Sequence, residues 1–152
     1  MAARPLDSSD EGRSYPPTEP YEVGLEHVRE FASAIGDANP VYRDRAAARG
    51  WGHPDVVAPP TYPFVLAFRA TRQVIEDPEL AIDYSRVVHG EQRFVYQRPI
   101  RAGDSLSTLV TIDSVKSAGG HTMLTTRSDI STTEGEHVVT AFSTLVIRGA
   151  EG

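Results

Sequence analysis

The side chains best able to do chemistry fall in one short stretch, Gly36-Asp37-Ala38-Asn39-Pro40-Val41-Tyr42. Asp37 supplies a carboxylate, a hydrogen-bond acceptor. Tyr42, five residues on, supplies a phenol that can donate or accept a hydrogen bond. With a reference pKa near ~10, it is a poor base at neutral pH. The same residues are turn and cap formers. Gly36 suits the left-handed position after a helix, and Asn39 suits an N-cap with Pro40 at the first helical position. A plain structural turn therefore accounts for the stretch as well. Of the five histidines, His53 lies in a Gly- and Pro-rich loop and is free to enter a pocket or stay exposed. His89 sits in a strand-like run beside Gly90, where another backbone can approach closely. A strand histidine satisfied by its neighbours is the plainer reading. His27, His121 and His137 read as surface residues. No two histidines stand with a carboxylate at metal-ligand spacing, so neither a metal nor a cofactor is expected.

The elements that must position these groups follow from periodicity. Residues 1–12 are polar, rich in Ser, Asp and Glu, and without period, which predicts a disordered tail ahead of one domain over 13–150. Tyr21-Glu22-Val23 alternates as a short strand. Leu25, Val28, Phe31, Ala32 and Ile35 share one helical face. A second short helix is expected after the Asn39 cap, with Pro40 at its first position and Gly50 beyond its end, then a loop from Trp51 to Pro60. Thr61 to about Ile75 reads as a helix. Its first half, Phe64-Val65-Leu66-Ala67-Phe68, is apolar all round, which predicts burial on every side. The remainder reads as strand: Val87–Tyr96, Leu106–Ile112, Met123–Thr132 and Val138–Ile147, with turns at 99–104, Gly119-Gly120 and Glu134-Gly135. Helices first and a meander of four long antiparallel strands after them make an α+β chain, with the sheet wrapped around the buried helix.

Bulk properties narrow the function classes. The chain has 152 residues, suited to one domain, and no cysteine, which removes thiolate zinc sites, iron–sulfur clusters and a cysteine nucleophile. With 15 Lys+Arg against 21 Asp+Glu, net charge −6, and no basic stripe, nucleic acid is not an expected partner. No run approaches the ~20 apolar residues of a membrane span, and the N-terminus lacks the apolar core of a signal peptide. A cytoplasmic location is expected.

Taken together, the motifs resemble a known family. Gly36-Asp37-x-Asn39-Pro40-Val41 is similar to the signature of the MaoC-like, R-specific enoyl-thioester hydratases and dehydratases. Val56-Val57-Ala58-Pro59-Pro60-Thr61 resembles that family's entry into its central helix. Arg98-Pro99-Ile100 with Gly103-Asp104-Ser105-Leu106 resembles its Pro-aliphatic-x-x-Gly-Asp turn. His89-Gly90-Glu91-Gln92 resembles the non-catalytic N-terminal half of double hot-dog hydratases. Tyr15-Pro16, Tyr21-Glu22-Val23-Gly24 and Val28-Arg29-Glu30 resemble the A subunit of the mycobacterial-type (3R)-hydroxyacyl-ACP dehydratase. The likeness spans about residues 13–148 and implies a hot-dog fold, a long central helix wrapped by a curved antiparallel sheet.

The resemblance also implies a chemistry. Adding water across a 2-enoyl thioester, or removing it, needs an acid and a base, and an N–H donor for charge on the thioester oxygen. In the family an Asp and a His five residues later hold the catalytic water, and a glycine N–H at the start of the central helix meets the oxygen. Here the Asp is Asp37 and the Asn is Asn39, but Tyr42 stands at the His position. Pro60, which has no N–H, stands at the glycine. The implied role is a substrate-binding, non-catalytic subunit of a (3R)-hydroxyacyl-thioester dehydratase. It would act on an acyl-CoA or acyl-ACP, with Asn39, Pro60, Thr61 and His89 facing substrate and a second hot-dog subunit as mate. Arg93, Arg98 and Arg101 are candidates for carrier phosphates. A self-sufficient hydratase using Asp37 with His53 or His89 stays open, as does an acyl-thioester-binding homodimer.

Overall fold

The computed structural model describes residues 3–149. Its elements are β1 (Tyr21–Glu22), α1 (Leu25–Ala34), a 3-10 turn (Pro40–Tyr42), α2 (Arg45–Gly50), α3 (Pro63–Ile75), a 3-10 turn (Tyr84–Arg86), β2 (Val87–Tyr96), β3 (Ser105–Ala118), β4 (His121–Thr132) and β5 (His137–Ile147). The strands form one antiparallel sheet in the order β1-β3-β4-β5-β2. It curls around α3, the hot-dog arrangement that the sequence motifs imply.

The core follows from two periods meeting. Leu106, Val110, Ile112, Leu124, Ile130, Val139 and Ala141 alternate onto the concave face and are buried, as a half-covered sheet requires. Against them α3 lays Leu66, Ala67, Ala70, Thr71 and Val74. At the N-terminal half of α3 the core continues through Tyr62, Val28 and Ile100; at the C-terminal half it takes in Leu80, Val115 and Leu6.

Several expectations are corrected. β2 does not pair with β3 in a four-strand meander; it lies beside β5, and residues 97–104 cross to the far side. The reason is that Ile100 is buried and its carbonyl accepts Ala58 N (2.7 Å), so the link docks as core rather than turning as a hairpin. The helix expected after Asn39 is split, because Asp44 starts α2 with its own cap, accepting from Ala46 N. The helix expected from Thr61 begins at Pro63, since Pro59–Tyr62 closes a turn of its own. α3 is not buried on every side: Phe64 and Phe68 are 38% and 41% exposed. They line a cavity beside β2 that is partly open to solvent. His27, read as surface, is half-buried between Tyr62 and Tyr21, with hydroxyls 2.8 and 3.0 Å from Nδ1.

The described part of the stretch expected to be a disordered tail, residues 3–12, lies on the domain. Leu6 enters the core and Asp10 is buried against Arg4 at 2.6 Å. Residues 12–18 then run antiparallel to β3: Gly12 N donates to Ile112 O (2.8 Å), Tyr15 N to Val110 O (3.1 Å) and Thr18 N to Thr108 O (3.0 Å). Tyr15 and Arg13 clasp Asp77 beyond α3, at 2.6 and 2.8 Å. Ordering comes from a sheet edge and charge pairs distant in sequence, which local composition does not report.

Candidate functional site

The site is built from three backbone turns. Gly36, at φ 72°, ends α1 in the left-handed conformation, and Asp37 N donates to Ala32 O (2.9 Å). Asp37 Oδ1 then accepts Asn39 N (3.0 Å), and Asn39 Oδ1 accepts Val41 N (3.1 Å). These two Asx-type bonds set the 3-10 turn that carries Tyr42. Arg43 returns to hold the Asp37 carbonyl (2.6 Å). Val57 N donates to Val41 O (3.2 Å), and the loop through 58 is pinned to Ile100, so the loop before α3 lies against the Tyr42 turn.

These turns enclose a largely apolar pocket of about 300 Å³, partly open to solvent. Tyr42, His53, Pro60, Tyr96, Val41 and Ala58 are among its walls. Tyr96 OH donates to Pro60 O at 2.7 Å, fixing the residue at the head of α3. Burial, and then the nearby Asp37 carboxylate, raise the Tyr42 hydroxyl above its ordinary pKa; burial and Tyr42 do the same to Tyr96. Both phenols therefore stay protonated at neutral pH and act as hydrogen-bond groups rather than bases.

The structure brings some of the sequence candidates together and separates others. Tyr42 and Pro60 share the pocket wall, and the Asp37 charge is near enough to act on Tyr42. Asn39 is exposed and serves as a cap. Thr61 is exposed beside Pro60, and its carbonyl accepts Phe64 N (3.1 Å). His89 is elsewhere: it lines a separate cavity between α3 and β2, edge-on to Phe64 at 5.6 Å. His53, left between pocket and solvent by the sequence, does line the Tyr42 pocket. Tyr96 carries no motif signal beyond its place on the Phe94 face, and sequence reasoning gave it no site role. Arg98, a candidate for carrier phosphate, is already bound in two bonds to Asp104 (2.9 and 3.0 Å) and also to Glu136 (3.1 Å). Arg93 lies over the Phe142 ring at 4.0 Å.

No helix among the described residues is long and apolar enough to cross a membrane. Residues 9–141 match the family described as FAS1-like, dehydratase domain region. The UPF0336 protein of Streptomyces coelicolor is 59% identical over 146 residues, 96% of this chain and 97% of that one. Among solved structures, a chain of the C-terminally truncated HadBC (3R-hydroxyacyl-ACP dehydratase) complex from Mycobacterium tuberculosis is 31% identical. It has a TM-score of 0.82, and the match covers 93% of this chain and 99% of that one. A MaoC-like dehydratase is 34% identical with a TM-score of 0.86 over 93% of this chain, which spans 43% of that longer one. With a family match over most of its length and the hot-dog sheet and helix in place, the chain belongs to the FAS1-like, MaoC-like hot-dog dehydratase family.

Proposed function

We propose that the chain is the substrate-binding, non-catalytic subunit of a (3R)-hydroxyacyl-thioester dehydratase or 2-enoyl hydratase of fatty-acid metabolism. It acts in the cytoplasm on acyl-CoA or acyl-ACP. One observation carries the reading: Tyr42 and Pro60, the positions where the family places its imidazole and its oxyanion N–H, meet in one pocket. Tyr42 is protonated there, and Pro60 has no N–H to offer. Missing oxyanion donors typically cost about 10²–10³ in rate, and a missing acid–base group a further ~10²–10⁴. The pocket wall is largely apolar, which suits holding a thioester next to another subunit's catalytic groups.

The mate we propose is a second hot-dog chain joined along β2. One edge of the sheet is already covered by residues 12–18, whereas β2 ends the strand order with its outer edge unpaired among the described residues. Beside it Phe64, Phe68, Val88 and Val95 are each 38–44% exposed. A long open edge next to apolar surface is what pairing removes. The HadBC relative is described as a complex.

A second reading is favoured by His53, which brings an imidazole to the wall that Tyr42 shares. In that reading Asp37 and His53 make a self-sufficient hydratase. Hydration of crotonyl-CoA and longer 2-enoyl-CoA, assayed with the purified chain alone and with a co-expressed hot-dog partner, separates the two. The subunit reading expects turnover only with the partner. Full turnover by the lone chain, abolished by Asp37→Asn or His53→Ala, overturns it.

A further inference from the structure

The cavity that His89 lines is distinct from the Tyr42 pocket. It is a cavity of about 100 Å³ between α3 and the β2–β5 pair, open on one side, with walls that include Phe64, Phe68, Ile75 and Leu145. Three polar residues, Thr71, Ser143 and His89, also face it. They belong to one row. Thr126 on β4, Ser143 on β5 and Gln92 on β2 are in register across the three strands. Thr71 of α3 stands over Thr126, with the hydroxyls 3.4 Å apart. Ser143 Oγ donates to Gln92 Oε1 at 2.7 Å, and His89 Nε2 meets the same oxygen at 3.1 Å.

His89 and Gln92 are three residues apart, so in a regular strand they would face opposite sides. A bulge lies between them: His89 pairs with Leu145, but Glu91 pairs with Thr144. The extra residue is Gly90. A Cβ there would come 3.2 Å from Val146 Cγ2 and 3.4 Å from Thr144 O. The His-Gly-x-Gln spacing is thus a device that brings an imidazole and an amide to one face of an edge strand. Gln92 Nε2 is fully buried and has no partner among the described residues. Turning the amide over would only exchange an unmet donor for an unmet acceptor, because Ser143 and His89 occupy the other end. Gln92 itself is not among the cavity's walls; it backs Ser143 and His89, which with Thr71 set polar groups into an otherwise largely apolar cavity.

We propose that this row is a specificity site, selecting an aliphatic chain that carries an oxygen atom, hydroxyl or keto, along its length. Ser143, Thr71 and His89 contact that oxygen, and Gln92 positions the Ser143 hydroxyl and the His89 ring. The inference rests on the acyl-binding reading above. Gln92 lies four residues before Tyr96, whose hydroxyl holds Pro60. On an extended strand that separation is roughly 13 Å, so the oxygen read here is remote from the thioester end.

The test is calorimetric titration of the full-length chain with dodecanoic acid and with its hydroxy and keto derivatives, the oxygen moved along the chain. At one position the oxygenated acid should bind about 3- to 10-fold tighter than dodecanoic acid, the value of one net hydrogen bond. Gln92→Leu should erase that preference. Ser143→Ala and Thr71→Val should reduce the preference in the same sense, and they carry the test where Gln92→Leu does not fold. Equal binding of plain and oxygenated acids overturns the inference and leaves the acyl-binding reading standing. A preference that survives all three substitutions also overturns the inference. Binding of neither acid overturns both.

Discussion

Replacing Arg98 by methionine tests the link that shapes the Tyr42 pocket. Arg98 is 15% exposed and grips Asp104, 8% exposed, with two bonds of 2.9 and 3.0 Å. Asp104 also accepts Arg101 N (2.9 Å), which closes the turn over 101–104. That link presents Ile100 O to Ala58 N and Ala102 N to Val56 O (2.9 Å), the bonds that seat the loop before α3. Arg98→Met keeps most of the apolar stem and removes both charge-assisted bonds, leaving a buried carboxylate with one backbone donor. Breaking one half of such a pair typically costs about 3 kcal/mol or more. Because Arg101 N remains, the lower end applies, about 3 kcal/mol. For a domain of this length that is a fall in melting temperature of about 6 to 12 °C. Urea unfolding followed by circular dichroism reads the first number and a thermal scan the second. Glu136 is more than half exposed, so Glu136→Gln should leave the midpoint near wild type. Adding Asp104→Asn to Arg98→Met should recover much of the loss, since the uncompensated charge is then gone. A loss below about 1 kcal/mol for Arg98→Met, or no recovery in the double variant, would show that the pair does not hold the link.

Two further outcomes follow from the packing. Asp77 sits below the usual carboxylate range: burial pushes it up, but the Tyr15 hydroxyl, the Glu79 amide and Arg13 outweigh that; Asp10 is likewise lowered, chiefly by its bonds to Arg4. A depressed native pKa gives stability that is present above the unfolded value, near ~3.9, and is lost as pH falls through the native one. Unfolding midpoints of wild type and Asp77→Asn should therefore differ at neutral pH and draw together as pH falls from about 4 through the depressed native value, with protease cleavage of residues 3–18 as a second readout. A gap that stays constant with pH would exclude this clasp as the cause. Gly90→Ala, where a new Cβ meets Val146 at 3.2 Å, should cost about 1 kcal/mol through overpacking at the bulge; an unchanged melting temperature would mean that the bulge relaxes freely.

What the sequence made legible was local. The α1 face, its Gly36 end, the Asn39 cap and the alternation of β3, β4 and β5 are each set by residues within a few positions of one another, and they are found where periodicity put them. What it hid was pairing at a distance. Nothing near residues 12–18 says that they will lie along β3, and nothing in 97–104 says that the link will carry the chain from β2 past β5 and β4 to β3. The exposure of Phe64 and Phe68 was missed for a related reason. An all-apolar helix face specifies that something covers it, but not whether the cover comes from the same chain.

The candidate site divides along the same line. Asp37, Tyr42 and Pro60 could be named because a family motif orders them in sequence, but bottom-up reasoning alone gave a turn, a phenol and a proline. Geometry then supplied what the motif did not: a wall shared by Tyr42, His53 and Tyr96, with Pro60 fixed to Tyr96. The polar row shows the limit most sharply. His89-Gly90-Glu91-Gln92 is visible as a string, yet its meaning depends on Ser143, 51 residues away, and on a one-residue shift in register that no composition encodes. A bulge glycine between two polar side chains on an edge strand is the signal that could have found it. In the function proposed above, a phenol and a proline take the family's acid–base and oxyanion positions, while polar side chains converge on the neighbouring cavity. That contrast is the expected trace of a subunit whose work is to choose and hold a substrate.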